Sequence, residues 1–319
     1  MTTPSAIQGP HQQIPMTSAS EAFLSQLLDR LWDRYRQRVA YVQAYEKVVS
    51  ESGATFVNDH IAFRTIACQH PLTGICTLSR IFEALGYRAA GCYHFEDKQL
   101  SAIHFQHPNG KFPKLFISEL KVWELNEILQ AMILKSVRTH RLPISEESLT
   151  KILRCELLGE NEREQLLQLV LNEFHELPWN LPEKFEVEAV NRVSQYAAWV
   201  LVHGYNVNHF TSLINSHGVP ALQDIDRTVA ALRNVAVPMK AEIEGAVGSK
   251  LRQTATEAVV IDVDISKFGV RTTMPWTYAY FELAERGEVI DPETGNRARF
   301  EGFLGPQATQ LFEMTRLSR

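Results

Sequence analysis

The chain has 319 residues, 45% of them hydrophobic and 22% charged, with a formal net charge of −5. This is the ordinary balance of a globular protein and excludes wholesale disorder. The mild negative charge gives no electrostatic reason to propose nucleic acid or an anionic membrane as partner, and no apolar run approaches the roughly 18 residues that span a bilayer.

Residues 1–18 are polar and proline-containing, without the basic start and apolar stretch of a secretory signal. They predict a disordered tail on a cytoplasmic protein. Residues 19–52 predict helix: Ser20 can cap the start, and Phe23, Leu27, Leu28 and Leu31 recur at helical spacing. The alternating run FVNDHIAFRTI (56–66) predicts a strand. A short helix follows, LSRIFEALGY (78–87), with Gly86 placed to end it. Three β-like runs come next, at 89–95, 100–107 and 114–120, the last two separated by the turn Pro108-Asn109-Gly110. Residues 19–121 thus read as a helix and a βαβββ unit. Residues 122–202 form a helical block, interrupted at Pro178 and Pro182 and closed by a helix over 186–202, more suited to core or partner packing than to a ligand pocket.

The first pattern returns in residues 203–319. A strand at 205–214 precedes a helix over 224–237, with Asp224 or Asp226 near its start. Three β-like stretches follow, at 241–247, 256–265 and 276–286. The repeat extends to residue types: Asn58-Asp59-His60 parallels Val207-Asn208-His209, and Glu119-Leu120 parallels Glu282-Leu283. A repeated βαβββ unit is the building block of the vicinal oxygen chelate fold. The expected architecture is therefore α+β: two modules curl into one half-open barrel around a shared metal, with a helical insertion between them.

Alternation along the first strand puts Asn58, His60, Ala62 and Arg64 on one face, with His60 and Arg64 roughly 13 Å apart along the strand. Tyr278, Tyr280 and Glu282 share a face near the chain's end, and His209 holds the repeat-related position of His60. In one barrel His60, His209 and Glu282 can converge. Two imidazoles and one carboxylate form the facial triad of non-haem Fe(II) oxygenases, which leaves positions open for a chelating substrate and O2. Arg64 suits an anionic substrate, because a guanidinium pairs with a carboxylate in bidentate fashion. Taken singly, each residue has a plainer role: a hydrogen-bonded strand histidine, a solvated edge carboxylate, an ordinary ion pair. Occurrence at matched positions of two repeats is what singles out the histidines. Glu119 stays open between a fourth ligand, a residue behind the ligands, and an exposed charge. His104 and His107, three apart, point to opposite faces of a strand. His70, His94, His140, His175, His203 and His217 have no supporting pattern. Cys68, Cys76, Cys92 and Cys155 make no Cys-x-x-Cys pair and read as free thiols.

The segments NDHIAFRT (58–65), FPKLFISEL (112–120), VNHFT (207–211) and YFELAERG (280–287) resemble the 2-oxoadipate dioxygenase/decarboxylase family, from about residue 20 to the end. The resemblance implies an Fe(II)-dependent enzyme of lysine catabolism that converts 2-oxoadipate and O2 to 2-hydroxyglutarate and CO2. It implies His60, His209 and Glu282 as metal ligands, Arg64 as the catalytic substrate-binding residue, and no ligand role for Glu119. Two other classes remain open on the residues alone: a redox-neutral isomerase or lyase using Zn2+, Ni2+ or Mn2+ with Glu119, and a non-catalytic metabolite-binding module.

Overall fold

The computed structural model describes residues 9–70, 73–141, 144–291, 294–305 and 315. The expected disordered tail is corrected for Gly9 to Ser18. The imidazole Nδ1 of buried His11 stands 2.7 Å from Asp29 Oδ1, its main-chain N–H donates to the same oxygen, and Ile14 joins the core. Residues 1–8 lie outside the described residues.

The predicted N-terminal helix is two: α1 (Ala19–Arg38) and α2 (Ala40–Glu51), broken at Val39. Ser18, rather than Ser20, caps α1 by accepting from the Glu21 N–H. Arg36 and Glu46 pair across the break. The first βαβββ unit then follows as read: β1 (Asn58–Ala67), α3 (Ile75–Ala84), β2 (Arg88–Phe95), β3 (Leu100–Gln106) and β4 (Lys114–Lys121).

The helical block comprises α4 (Glu127–Val137), α5 (Glu146–Leu153), α6 (Glu160–His175), α7 (Lys184–Asn191) and α8 (Gln195–His203). The single helix predicted over 186–202 is corrected to α7 and α8, because Ser194 leaves helical geometry and caps α8 by accepting from the Ala197 N–H. Every residue of α8 is buried, as expected for a helix apolar on all sides. Trp199 Nε1 donates to the Tyr278 carbonyl beneath it.

The second half contains β5 (Val207–Leu213), α9 (Ile225–Asn234), β6 (Leu251–Ala255), β7 (Val260–Lys267), β8 (Val270–Thr277), β9 (Glu282–Arg286), β10 (Glu288–Ile290) and β11 (Arg297–Arg299). Three strand expectations are corrected here. Residues 241–247 form no strand; Glu244 makes an isolated bridge to Gln253, and the strand is β6. The run 256–265 feeds β7, which pairs with β8 as a separate hairpin sheet. The run 276–286 is split, since β8 ends at Thr277 and β9 begins at Glu282.

One seven-stranded sheet, ordered β2-β3-β4-β1-β5-β9-β6, spans both halves. At its centre β1 and β5 run antiparallel; each has a parallel neighbour, β4 and β9, followed by an antiparallel strand, β3 and β6. The halves are therefore related about the β1–β5 pair, and the first strand of each repeat lies beside the other. Both central strands are buried along their whole length. On one side α1 and α2 contribute Trp32, Tyr35 and Tyr45, which pack with Phe56, Phe210 and Phe281. Among the described residues no helix is long and apolar enough to cross a membrane, and all four cysteines are free thiols.

Candidate metal centre

The β1–β5 pairing sets Ala62 opposite His209 and His60 opposite Thr211, so the two histidines sit diagonally on adjacent strands. Their rings are 5.5 Å apart. The β5–β9 pairing sets Thr211 opposite Glu282, which brings the carboxylate beside both. His60 Nε2 lies 3.6 Å from Glu282 Oε1, and His209 Nε2 lies 3.3 Å from Oε2. The three ligand atoms all fall within 4.8 Å of one another.

Each imidazole is oriented from behind. His60 Nδ1 stands 2.8 Å from Asp59 Oδ2, and His209 Nδ1 stands 3.0 Å from Asn208 Oδ1. With Nδ1–H donating to an oxygen, Nε2 keeps its lone pair toward Glu282. The Thr211 hydroxyl is 3.0 Å from His60 Nε2, where it donates to the lone pair a cation would otherwise take.

Burial pushes both imidazoles down, His209 well below the usual histidine range, so both are neutral at physiological pH. In His60 the carboxylate of Asp59 works against that shift. Burial pushes the Glu282 carboxyl well above its usual range, with the charges of Glu244 and Asp59 adding. Glu282 is fully buried, and neither carboxylate oxygen has a hydrogen-bond donor. A buried charge without partners is costly, and a divalent cation is the partner that this donor set suits. The residues fit a metal ion.

Asp59 is itself anchored. Burial would push its carboxyl up, but the Arg286 guanidinium and the His60 hydrogen bond together hold it well below the usual range. Arg286 donates through Nε to Oδ1 (2.6 Å) and Nη2 to Oδ2 (2.7 Å). Its Nη1 reaches the carbonyls of Phe300 and Gly302. Phe303, just beyond, sets its ring against His60 at 4.9 Å.

The cluster opens into a small cavity whose lining includes Ala62, Arg64, Phe116, Ser118, Gln253, Tyr280, Phe303 and Leu304. Arg64 therefore lines the same cavity as His60, His209 and Glu282. Its guanidinium lies over the rings of Tyr196 (5.1 Å) and Trp199 (5.4 Å) and donates to Thr315 Oγ1. Thr315 in turn donates to Gln195 Oε1. Tyr280 stacks on His209 at 4.8 Å and lines the same cavity as Arg64.

Glu119 is not in the site, and its reading as a ligand or near-ligand is corrected. It pairs with Thr65, on the face of β4 away from His60, and its Oε2 accepts the Ile75 N–H at the start of α3. Glu285 Oε2 does the same for the Ile225 N–H at the start of α9. The repeat thus aligns Glu119 with Glu285, and Phe116 with Glu282.

Several residues around the ligands escape the sequence reading. Asp59 and Asn208 carry a signal, since each precedes its histidine in the repeat. Tyr196, Trp199 and Gln195 carry none, because α8 belongs to the block without a repeat. His104 and His107 go to separate partners, the Tyr93 hydroxyl and the Leu85 carbonyl.

A family model described as 2-oxoadipate dioxygenase/decarboxylase matches residues 24–315. The rice (Oryza sativa subsp. japonica) protein named 2-oxoadipate dioxygenase/decarboxylase, chloroplastic/amyloplastic, is 28% identical over 290 residues, 85% of this chain and 72% of that one. A glyoxalase superfamily protein of Ralstonia eutropha superposes with a TM-score of 0.79 at 20% identity, over 94% of this chain and 92% of that chain. The Oryza sativa hydroxyglutarate synthase, solved in complex with 2-oxoadipate, superposes with a TM-score of 0.74 at 24% identity, over 99% and 97%. These likenesses establish the vicinal-oxygen-chelate type of fold.

Proposed function

Because the chain belongs to the 2-oxoadipate dioxygenase/decarboxylase family, we propose that it converts 2-oxoadipate and O2 to 2-hydroxyglutarate and CO2, a step of lysine catabolism, at one Fe(II) held by His60, His209 and Glu282. The observation that supports this most is the Glu282 carboxylate, fully buried without a hydrogen-bond donor between two imidazole Nε2 atoms. Iron bound there would supply the Lewis acidity and the electrons that let O2 react with a chelated 2-oxo acid.

The remaining work falls to the chain's own residues. Three protein ligands leave positions for the 2-oxo acid and O2. Arg64 binds the distal carboxylate, its guanidinium held in place by Tyr196, Trp199 and Thr315. A fixed clamp of this kind sets which carbon lies beside the reacting centre. Phe116, Phe303 and Leu304 make the wall apolar, which keeps water from the reacting groups.

The position of Glu119 removes the support for a redox-neutral isomerase or lyase that uses it as ligand or base. The test compares metals. The stripped protein is loaded with Fe(II), Zn2+, Ni2+ or Mn2+ and given 2-oxoadipate in air. Formation of 2-hydroxyglutarate with Fe(II) alone is expected. Turnover of 2-oxoadipate to an isomer or lyase product with another metal would overturn the reading.

A further inference from the structure

Asp59-His60 and Asn208-His209 hold repeat-related positions, and in each the first side chain receives the Nδ1–H of the second. Yet one acceptor is a carboxylate and the other an amide. Both oxygens of Asp59 are engaged by Arg286, and Oδ2 also takes the proton of His60. Asp59 and Arg286 are both buried, 4% and 3% exposed, so the carboxylate is kept as an anion by a fixed partner rather than by water. Asn208 has no such clamp; its Nδ2 is buried without a hydrogen-bond partner.

A carboxylate behind an imidazole feeds negative charge to the ring and makes Nε2 a stronger donor; an amide oxygen orients the ring without doing so. We propose that Asp59, clamped by Arg286, is a positioning residue that makes His60 the stronger of the two imidazole ligands and His209 the weaker. The inference rests on the reading that these histidines hold a metal. It adds that the two halves of a repeated site bind unequally. Since Arg286 also grips the carbonyls of Phe300 and Gly302, the same clamp fixes the segment that places Phe303 against His60.

The test is an anaerobic Co(II) titration of the full chain against a chromophoric chelator, with the visible spectrum of bound Co(II) as a second readout. Asp59→Asn, which makes the first repeat resemble the second, is expected to weaken Co(II) binding about 10- to 100-fold and to shift the spectrum. Asn208→Ala is expected to cost less than Asp59→Asn does, because it removes an orienting contact and no charge from behind the ring. If Asp59→Asn does not fold, the double variant Asp59→Asn/Arg286→Met, which removes both buried charges together, is measured instead, with the same weakening expected. Equal losses for the two positions, an Asp59 variant that binds like the wild type, or a wild type that binds no Co(II) would each overturn the proposal. A wild type that binds Co(II) as described but, loaded with Fe(II), consumes no O2 would defeat the proposed function and leave this inference standing.

Discussion

Phe116 stands in the first half of the sheet where Glu282 stands in the second: each lines the cavity three residues before the carboxylate that accepts the first N–H of its module's helix. The repeat is thus broken at the one position where a symmetric barrel would supply a fourth ligand. Phe116→Glu is expected to bind a divalent metal at least about tenfold tighter, and to lose more than about 100-fold in O2-dependent turnover, because the added carboxylate takes a position the substrate needs. Metal affinity and O2 uptake of the one variant check both halves of the claim.

Glu282 gives a pH-dependent prediction. Burial raises its carboxyl well above the usual range in the folded chain, so the folded state binds more protons than the unfolded state. Its contribution to the stability of metal-stripped protein is therefore full below the ordinary carboxylate pKa and lost as pH rises toward the folded value. Glu282→Gln is expected to melt about 2 °C higher than the stripped wild type at pH 8, what about 1 kcal/mol gives a chain of this size, with the gap closing at low pH. The same substitution is expected to abolish stabilisation by added metal. Thermal melts across pH, with and without metal, check it.

Arg64 is expected to act on the substrate and not on the metal. Arg64→Ala should lose roughly 100-fold or more in kcat/KM for 2-oxoadipate, and Arg64→Lys should recover only part, since a point charge cannot reproduce a planar fork held on two aromatic faces. Co(II) affinity should stay within about threefold of the wild type. Unchanged turnover in Arg64→Ala would remove its assigned role.

Glu119 and Gly74 are structural counterparts. Gly74 has a φ of +84°, and a Cβ there would meet the Glu119 carboxylate that caps α3. Gly74→Ala is expected to cost about 1–3 kcal/mol and Glu119→Gln about 0.5–1 kcal/mol in urea unfolding. Both should bind metal like the wild type; a lost metal equivalent in Glu119→Gln would return that residue to the site.

The repeat is legible in the chain because its two strand–helix starts keep their order and their histidines. That is enough to give His60 and His209 matched positions in one barrel. The match of Glu119 with Glu282 fails because a shared Glu-Leu dipeptide carries no register; the helix-start contacts of Glu119 and Glu285 set the alignment three residues away. The β7–β8 hairpin reads as barrel because its alternation is that of any two-stranded ribbon, and only pairing tells which sheet it joins. The cradle of Arg64 is invisible in the sequence: α8 is apolar on every side, so its pattern gives no face. The opening segment reads as disordered from its composition, yet a polar stretch can be ordered by a few buried hydrogen bonds, here those of His11.

The most direct measurement is the stoichiometry of one reaction. Protein reconstituted anaerobically with Fe(II) is mixed with 2-oxoadipate and a known amount of O2, and O2, CO2 and 2-hydroxyglutarate are followed together. The account predicts one O2 consumed for each CO2 and each 2-hydroxyglutarate formed, with none in a His60→Ala, His209→Ala or Glu282→Ala variant. Fe(II)-loaded, folded protein that consumes no O2, or that consumes it without releasing CO2 and 2-hydroxyglutarate in equal amounts, would contradict it.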